Sequence, residues 1–422
     1  MLKTNVTNLN KYFAILLLCA SLCSCVWDNN SNELDYLPLD DSSYPYAGLP
    51  RLVLETDNFV QIRNTETDVS AEMQFYGQNG PTSEIFNLTF KGRGHSSFTG
   101  MPKPSYTIKL QKKQEILGMP KEKEWALIAN SADRSLLRNF ITYKLYRQVS
   151  NRYSPRAEFV ELFLNREYQG VYLLTETIKT GRDRVNIPDY DDYYLVEKTK
   201  YYKDSDVIVK TQNGHVFIIK SDNKTSPEAR TQLKKHLDSL ENLLDNDLTS
   251  IEKYIDIEKF IAYYWIQEFS KNYDGNFYKS IYFTIENSHV LKFGPVWDFD
   301  LAYGNSASES VNTNSGWYVR DSPWNQELLS KKEIYEKSIA FWEQNRPYFE
   351  ALQDTLTKYS SLLQKASDNE FSRWPVLKNT ENWMYRKEYS EYNEAVLDLK
   401  EWIKSRIQWI DHELGFDGKT SN

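Results

Sequence analysis

Apolar and polar residues alternate in short runs over the first half of the chain. RLVLET at 51–56, VQIR at 60–63 and IFNLTF at 85–90 read as strands with one face turned inward. SYTIKL at 105–110 puts Tyr106, Ile108 and Leu110 on one face and Lys109 on the other. Between them KGRGHSSF at 91–98 predicts a glycine-containing turn carrying hydroxyls. EFVELFL (158–164) and GVYLLT (170–175) flank the polar NREYQ and predict a hairpin. After GRDRVNI (181–187), YYLVEK and VFIIK add further strand-like pieces.

The period then changes. DRSLLRNFITYKLYRQV at 133–149 already carries helical spacing, with Asp133 suited to the first turn. Ser226-Pro227-Glu228 opens a helix with Leu233, Leu237, Leu240 and Leu244 on one stripe. IEKFIAYYWIQEF (257–269) is apolar nearly all round, which predicts a buried helix. A polar loop, KNYDGNFYKS, leads into IYFTI (281–285), the turn ENSH, VLKF (290–293) and GPVWDFDL (294–301). The last third is mostly helical, and its best stripe, Val396, Leu399, Ile403, Ile407, Ile410 and Leu414, stops at Gly415. A chain of 422 residues exceeds one ordinary core. The expected fold is α+β in two lobes, with 51–180 strand-rich and 181–422 mainly helical.

The N-terminus has its own pattern. Lys3 and Lys11 precede the apolar YFAILLLCASL, which is too short to span a bilayer, and Leu22-Cys23-Ser24-Cys25 follows. This is the form of a signal peptide, and its end resembles the lipobox of bacterial lipoproteins. Residues 1–24 would be removed and Cys25 lipidated. The acyl chains would tie the protein to a membrane of the cell envelope, the outer membrane or cell surface of a Gram-negative bacterium. The alternative is an ordinary signal peptide cut nearby. Residues 25–50, polar, acidic and Pro-containing, then read as the lipidated cysteine and its tether.

All three cysteines lie in this leader, so the body beyond Cys25 has no disulfide, thiolate metal site or cysteine nucleophile. The net charge of −8, without a basic stripe, disfavours a nucleic-acid partner. Aromatic content is 14%, with 30 Tyr and 11 Trp. Core packing explains it more cheaply than a stacking surface.

Two carboxylate segments carry the candidate chemistry. A tight hairpin brings its outer ends together, so Asp274 before IYFTI and Asp298 after VLKF can face one cleft. Asp298 and Asp300, if extended, point to the same side. Oxygen ligands of this kind, with Asn276 or Asn305 nearby, suit Mg²⁺ or Mn²⁺. A separate Asp could accept a hydroxyl proton. Upstream, the Gly92–Gly94 backbone, Arg93, Ser96 and Ser97 could cradle phosphates, and Lys109 could pair with them. Each piece alone is commonplace: a lone G-x-G is usually a turn, and paired carboxylates are usually surface charges. Their order is more telling, because protein kinases string glycine loop, strand lysine, helix, hairpin, catalytic Asp, hairpin and D-F-G in the same sequence.

GRGHSSFTGMPKPSYTIKL, WALIANSADRSLLRNFITYKL, YQGVYLLTETIKTGRDRVNI and the D-G-N loop followed by GPVWDFDLAYGN together resemble the spore-coat protein H (CotH) kinase family, from about residue 86 to 305. The resemblance implies an atypical protein-kinase-like fold and transfer of the ATP γ-phosphate to protein Ser/Thr hydroxyls with Mg²⁺ or Mn²⁺. It implies that Asp274 is the catalytic-loop Asp and that Asp298 holds metal, with Asp300 and Asn276 as further ligands. Arg93, Gly94, Ser96 and Ser97 would contact phosphates, Lys109 would be the strand lysine, and Leu174, Glu176 and Ile178 would form the adenine hinge. Three positions depart from the pattern. Lys279 stands where a second metal-binding Asn is expected, the 133–149 helix has no Glu for Lys109, and Asp300 replaces the Gly of D-F-G. ATP is also scarce where a lipoprotein resides. The rival readings are a catalytically inactive cell-surface lipoprotein binding glycan or a protein partner, and a metal-dependent hydrolase, which five His in the whole chain disfavour.

Overall fold

The computed structural model describes residues 42–94, 96–190, 192–221, 226–286, 290–382, 384 and 387–416. The leader, Cys25 and His95 lie outside them. The mixed α+β content is as expected: strands dominate the N-terminal region and helices the C-terminal one.

The strand-rich region differs from an open kinase-like lobe in one respect. Strands β1 (Arg51–Thr56), β2 (Val69–Gly77), β4 (Phe86–Arg93), β5 (Ser105–Ile116), β6 (Met119–Ile128), β7 (Ala157–Leu164) and β8 (Glu167–Glu176) run in the order β1-β7-β8-β6-β5-β4-β2, and β1 pairs with β2 to close the ring. The short β3 (Gly80–Pro81) extends β2. Closure removes the sheet edges and leaves an interior that side chains must fill. Leu54, Phe90, Ile108, Trp125, Leu162 and Tyr172 fill it, each wholly buried.

Closure also explains why VQIR at 60–63 is not a strand. β1 is paired on one side with β2 and on the other, in parallel, with β7, so that segment has no edge to join. β6 was not expected, because its first half is polar. The expected hairpin is β7–β8, turning on Asn165 and Arg166 at φ 50° and 69°, the left-handed pair that matches strand twist in a two-residue turn.

A second, antiparallel sheet has the order β10-β11-β9-β12-β13, from Ile208–Lys210, Val216–Ile219, Tyr194–Lys198, Ile281–Glu286 and Val290–Phe293. The helices are α1 (Arg138–Ser150), α2 (Pro227–Asn246), α3 (Ile257–Ser270), α4 (Pro323–Ser330), α5 (Lys332–Glu350), α6 (Leu352–Arg373) and α7 (Tyr392–Leu414), of which α2 and α3 lie against this sheet. Ser226 caps α2 by accepting the Ala229 N–H, as its Ser-Pro-Glu start predicts. Helix α3 is buried on nearly every face. Helix α1 starts five residues later than its periodicity suggests. Leu136 sits at φ 62°, and Asp133 precedes the helix, accepting the N–H groups of Ser135 and Arg138. No helix among the described residues is long and apolar enough to cross a membrane.

Helix α6 joins the two regions. Glu370 accepts from Lys103 Nζ at 2.8 Å and from the Val171 N–H at 2.7 Å, while the same ammonium lies 4.5 Å from the Tyr172 ring centroid. Asn369 donates to Glu161, Arg373 to the Tyr168 carbonyl and Trp374 to the Gln169 carbonyl. Burial raises the Glu370 carboxyl above its ordinary range and lowers the Lys103 ammonium, each opposed by the other's charge. Removing one member leaves the other charged and dry. Glu370→Ala is therefore expected to cost about 3–5 kcal/mol of stability, read as a fall in urea midpoint and Tm. Lys103→Met/Glu370→Leu should lose less than the single change.

Candidate active site

The Asp-Gly loop is held against the end of α3. Lys271 ends the helix at φ 44°, its N–H returning to the last-turn carbonyls. Asn272 donates to Gln267 Oε1 at 2.9 Å, and the chain then folds over that amide. Glycine is required at 275, where a Cβ would stand 2.1 Å from Gln267 Oε1. This close approach buries Asp274, which is 2% exposed. Downstream, Lys198 Nζ donates to the carbonyls of Phe277 and Tyr278, so β9 fixes the loop's exit into β12.

The Asp-Phe-Asp segment is held by α1. Asn139 Oδ1 accepts the Phe299 N–H at 2.8 Å. Arg138 donates to the carbonyls of Ala302 at 3.0 Å and Tyr303 at 3.3 Å while paired with the fully buried Asp133. Asn305 donates to the carbonyls of Ala132 and Asp300. The segment is not extended: Asp298 stands at φ 69°. The strand-period argument for Asp298 and Asp300 therefore fails, and a turn sets the directions of their side chains.

These two supports bring the carboxylates together. Lys279 Nζ lies 3.0 Å from Asp274 Oδ2 and 3.3 Å from Asp298 Oδ2, and Ser280 Oγ donates to Asp298 Oδ2 at 3.2 Å. Sequence reading takes Lys279 only as a departure from Asn, and no local signal places its ammonium between the two carboxylates. Burial, then the charge of Asp298, pushes Asp274 up to about 7, against the pull of Lys279. Burial and Asp298 also hold Asp300 well above the usual carboxylate range. The two carboxylates raise Lys279, Asp298 most.

The upstream residues divide. The Arg93 guanidinium lies 5.2 Å from the Trp297 ring centroid, and Trp297 stacks on Tyr143 at 5.6 Å, so the end of β4 touches the metal-candidate segment. Gly94 follows at φ 95°, and Ser96 and Ser97 begin a single helical turn, Ser96–Thr99. The Gly92 N–H donates to the Asn64 carbonyl, so it is not free to bind phosphate. Glycine is needed there because a Cβ would strike the Phe98 ring. Lys109 is not brought to the carboxylates: its side chain is 58% exposed and 3.9 Å from Glu124 on the neighbouring strand. The deeply buried lysine of this region is Lys103, which the sequence reading passed over.

The hinge candidates are occupied by the fold. Leu174 faces the barrel interior from a strand paired on both sides. The fully buried Glu176 carboxylate is paired with Arg156 and Arg184, and its N–H donates to the Arg156 carbonyl. Ile178 is buried in the main core. Asn276, two residues after Asp274, has its amide beside the Tyr318 hydroxyl and opposes the rise that burial causes in that phenol.

The donor set suits a hard cation. Asp298, Asp300 and Ser280 offer oxygen only, and the half-buried Asp300 carboxylate has no hydrogen-bond donor among the described residues. No group of three or more His, Cys, Asp or Glu among those residues could cage an ion unaided. Two carboxylates completed by water and substrate phosphates is the habit of Mg²⁺.

A glycine-bearing strand end, a buried Asp-Gly loop and an Asp-Phe-Asp turn thus lie against one another, and the family match makes this a kinase-like protein. Over residues 88–410 the chain matches the CotH kinase protein family, and it belongs to that family. It is similar to inner spore coat protein H of Bacillus subtilis (strain 168), with 23% identity over 234 residues, 52% of this chain. It spans 59% of that relative's length.

The raised Asp274 has a consequence for stability. Its folded value of about 7 exceeds its ordinary 3.8, so its contribution is full below pH about 4 and is lost as pH rises through about 7. In Asp274→Asn the fall in Tm between pH 5 and pH 8 should shrink, as followed by circular dichroism.

Proposed function

We propose that this protein transfers the γ-phosphate of ATP to Ser or Thr hydroxyls of a protein substrate, in a cleft between a barrel that serves as the N-lobe and a helical C-lobe. One observation carries the reading: Asp274 and Asp298, from two separate segments, reach the same ammonium in a member of the CotH kinase family. Asp298 and Asp300 hold Mg²⁺ (or Mn²⁺), which when bound neutralises phosphate charge. Asp274, dry and held by the α3 loop, takes the proton of the attacking hydroxyl as its oxygen bonds to phosphorus and the bond to the ADP oxygen breaks. Arg93 is the cation at the glycine end that can meet phosphate oxygens. Lipidation at Cys25 would place this activity at the cell envelope.

The occupied hinge favours a second reading. With Leu174 inside the barrel and Glu176 paired to two arginines, adenine would need other contacts. If it has none, the protein is an inactive lipoprotein that binds glycan or a protein partner.

The deciding experiment incubates residues 26–422 with γ-labelled ATP, Mg²⁺ or Mn²⁺ and an acidic, casein-like acceptor. Metal-dependent label is expected on the wild type. Asp274→Ala and Asp298→Ala should each lower it at least a hundredfold, the scale of a lost general base or charge clamp. No label and no ATP-induced rise in Tm would overturn the kinase reading in favour of the binding protein.

A further inference from the structure

We propose that Lys279 is a resident cation of the cleft, so that with nucleotide bound the site takes one divalent ion where a protein kinase takes two. The inference rests on the reading of Asp298 and Asp300 as the metal ligands, and it concerns what the remaining space can hold.

The position of Lys279 is built into the fold. Its N–H donates to the Asp274 carbonyl at 3.2 Å, and two residues later Ile281 begins β12 in register with Lys198 of β9. Lys198 fixes the two preceding carbonyls. Phe277, at φ 55°, is wedged 5.0 Å from the Trp324 ring. The main chain on both sides of Lys279 is thus fixed, and its side chain is 29% exposed. The ammonium is aimed at the gap between Asp274 and Asp298, the gap a second ion would occupy to bridge the loop and the Asp-Phe-Asp turn.

Position then sets the count. The ammonium stands 3.0 Å from Asp274 Oδ2 and 3.3 Å from Asp298 Oδ2, where it is already the counter-ion that both carboxylates share. A second ion in the same gap would meet the ammonium within a few ångströms in a poorly solvated site, where repulsion between like charges is strong. A neutral side chain at 279 would leave Asp274 and Asp298 facing each other without a counter-ion, which a second divalent ion would supply.

The test counts ions directly. The purified chain, saturated with a non-hydrolysable ATP analogue, is titrated with Mn²⁺, and bound metal is measured by equilibrium dialysis and by the electron paramagnetic resonance of free Mn²⁺. One ion per chain is expected for the wild type and for Lys279→Arg, and two for Lys279→Asn and Lys279→Met. Without nucleotide, the neutral variants should bind Mn²⁺ at least tenfold more tightly than the wild type. Far-ultraviolet circular dichroism and Tm verify folding, and the Arg variant keeps the charge should the neutral ones unfold. Two ions in the wild type, or in Lys279→Arg, would overturn the resident-cation proposal and leave the kinase reading intact. So would one ion at unchanged affinity in folded neutral variants. No Mn²⁺ on the wild type under either condition would overturn the metal-ligand reading and this proposal with it.

Discussion

The Asp-Phe-Asp segment, which carries two of the three carboxylates, depends on a buried guanidinium. Arg138, at the start of α1, is paired with Asp133 below it and donates to the carbonyls of Ala302 and Tyr303 above. A charge so far from water is tolerated only when paired and fully hydrogen-bonded, so the carbonyls it reaches are fixed along with it. Asn139, one residue on, holds the Phe299 N–H. Between them these contacts turn an irregular segment, with Asp298 in a left-handed conformation, into a fixed mount for two carboxylates. Asp133 is itself tied to the end of β6 by the turn of Asn130–Leu136, which transmits the barrel's position to the metal-candidate segment.

The second mount, the Asp274 loop, uses different physics for the same end. Its burial comes from close packing of Gly275 against Gln267, and its exit is fixed by Lys198. The two mounts meet through Lys279 and Ser280, which reach Asp298 Oδ2, through Asn272, which donates to the Asp298 carbonyl, and through the Tyr303 N–H, which donates to the Ser270 carbonyl. Water is largely excluded at Asp274 while Asp298 stays partly open, the difference of environment that the proposed proton-accepting and ligand roles call for.

Helix α6 supplies the third constraint. Through Glu370, Asn369, Arg373 and Trp374 it engages successive groups along the β7–β8 hairpin. A closed barrel offers no strand edge for docking, so the contact is made instead by side chains reaching backbone groups at the hairpin and a buried lysine. This explains why a chain with a self-contained strand region still has an integrated helical half.

The division between sequence and tertiary structure follows range. Local periodicity was enough for the α+β class, the β7–β8 and β12–β13 hairpins, the buried α3 and the capped start of α2, because each is decided by neighbours a few residues apart. The pairing of Asp274 with Asp298 was legible for the same reason, since one short hairpin separates them. Barrel closure was not, because β1 meets β7 in parallel across more than a hundred residues, and alternation does not encode a partner. Alternation puts Lys109 on an outer face, where it is, but cannot show that Lys103 is the lysine paired with Glu370 in the interior. Least legible was Lys279. By itself the sequence determined which charges exist and which loops carry them; only the packing of α1, α3 and β9 decided that one ammonium would stand between two carboxylates, because that distance is set by three elements remote in the chain.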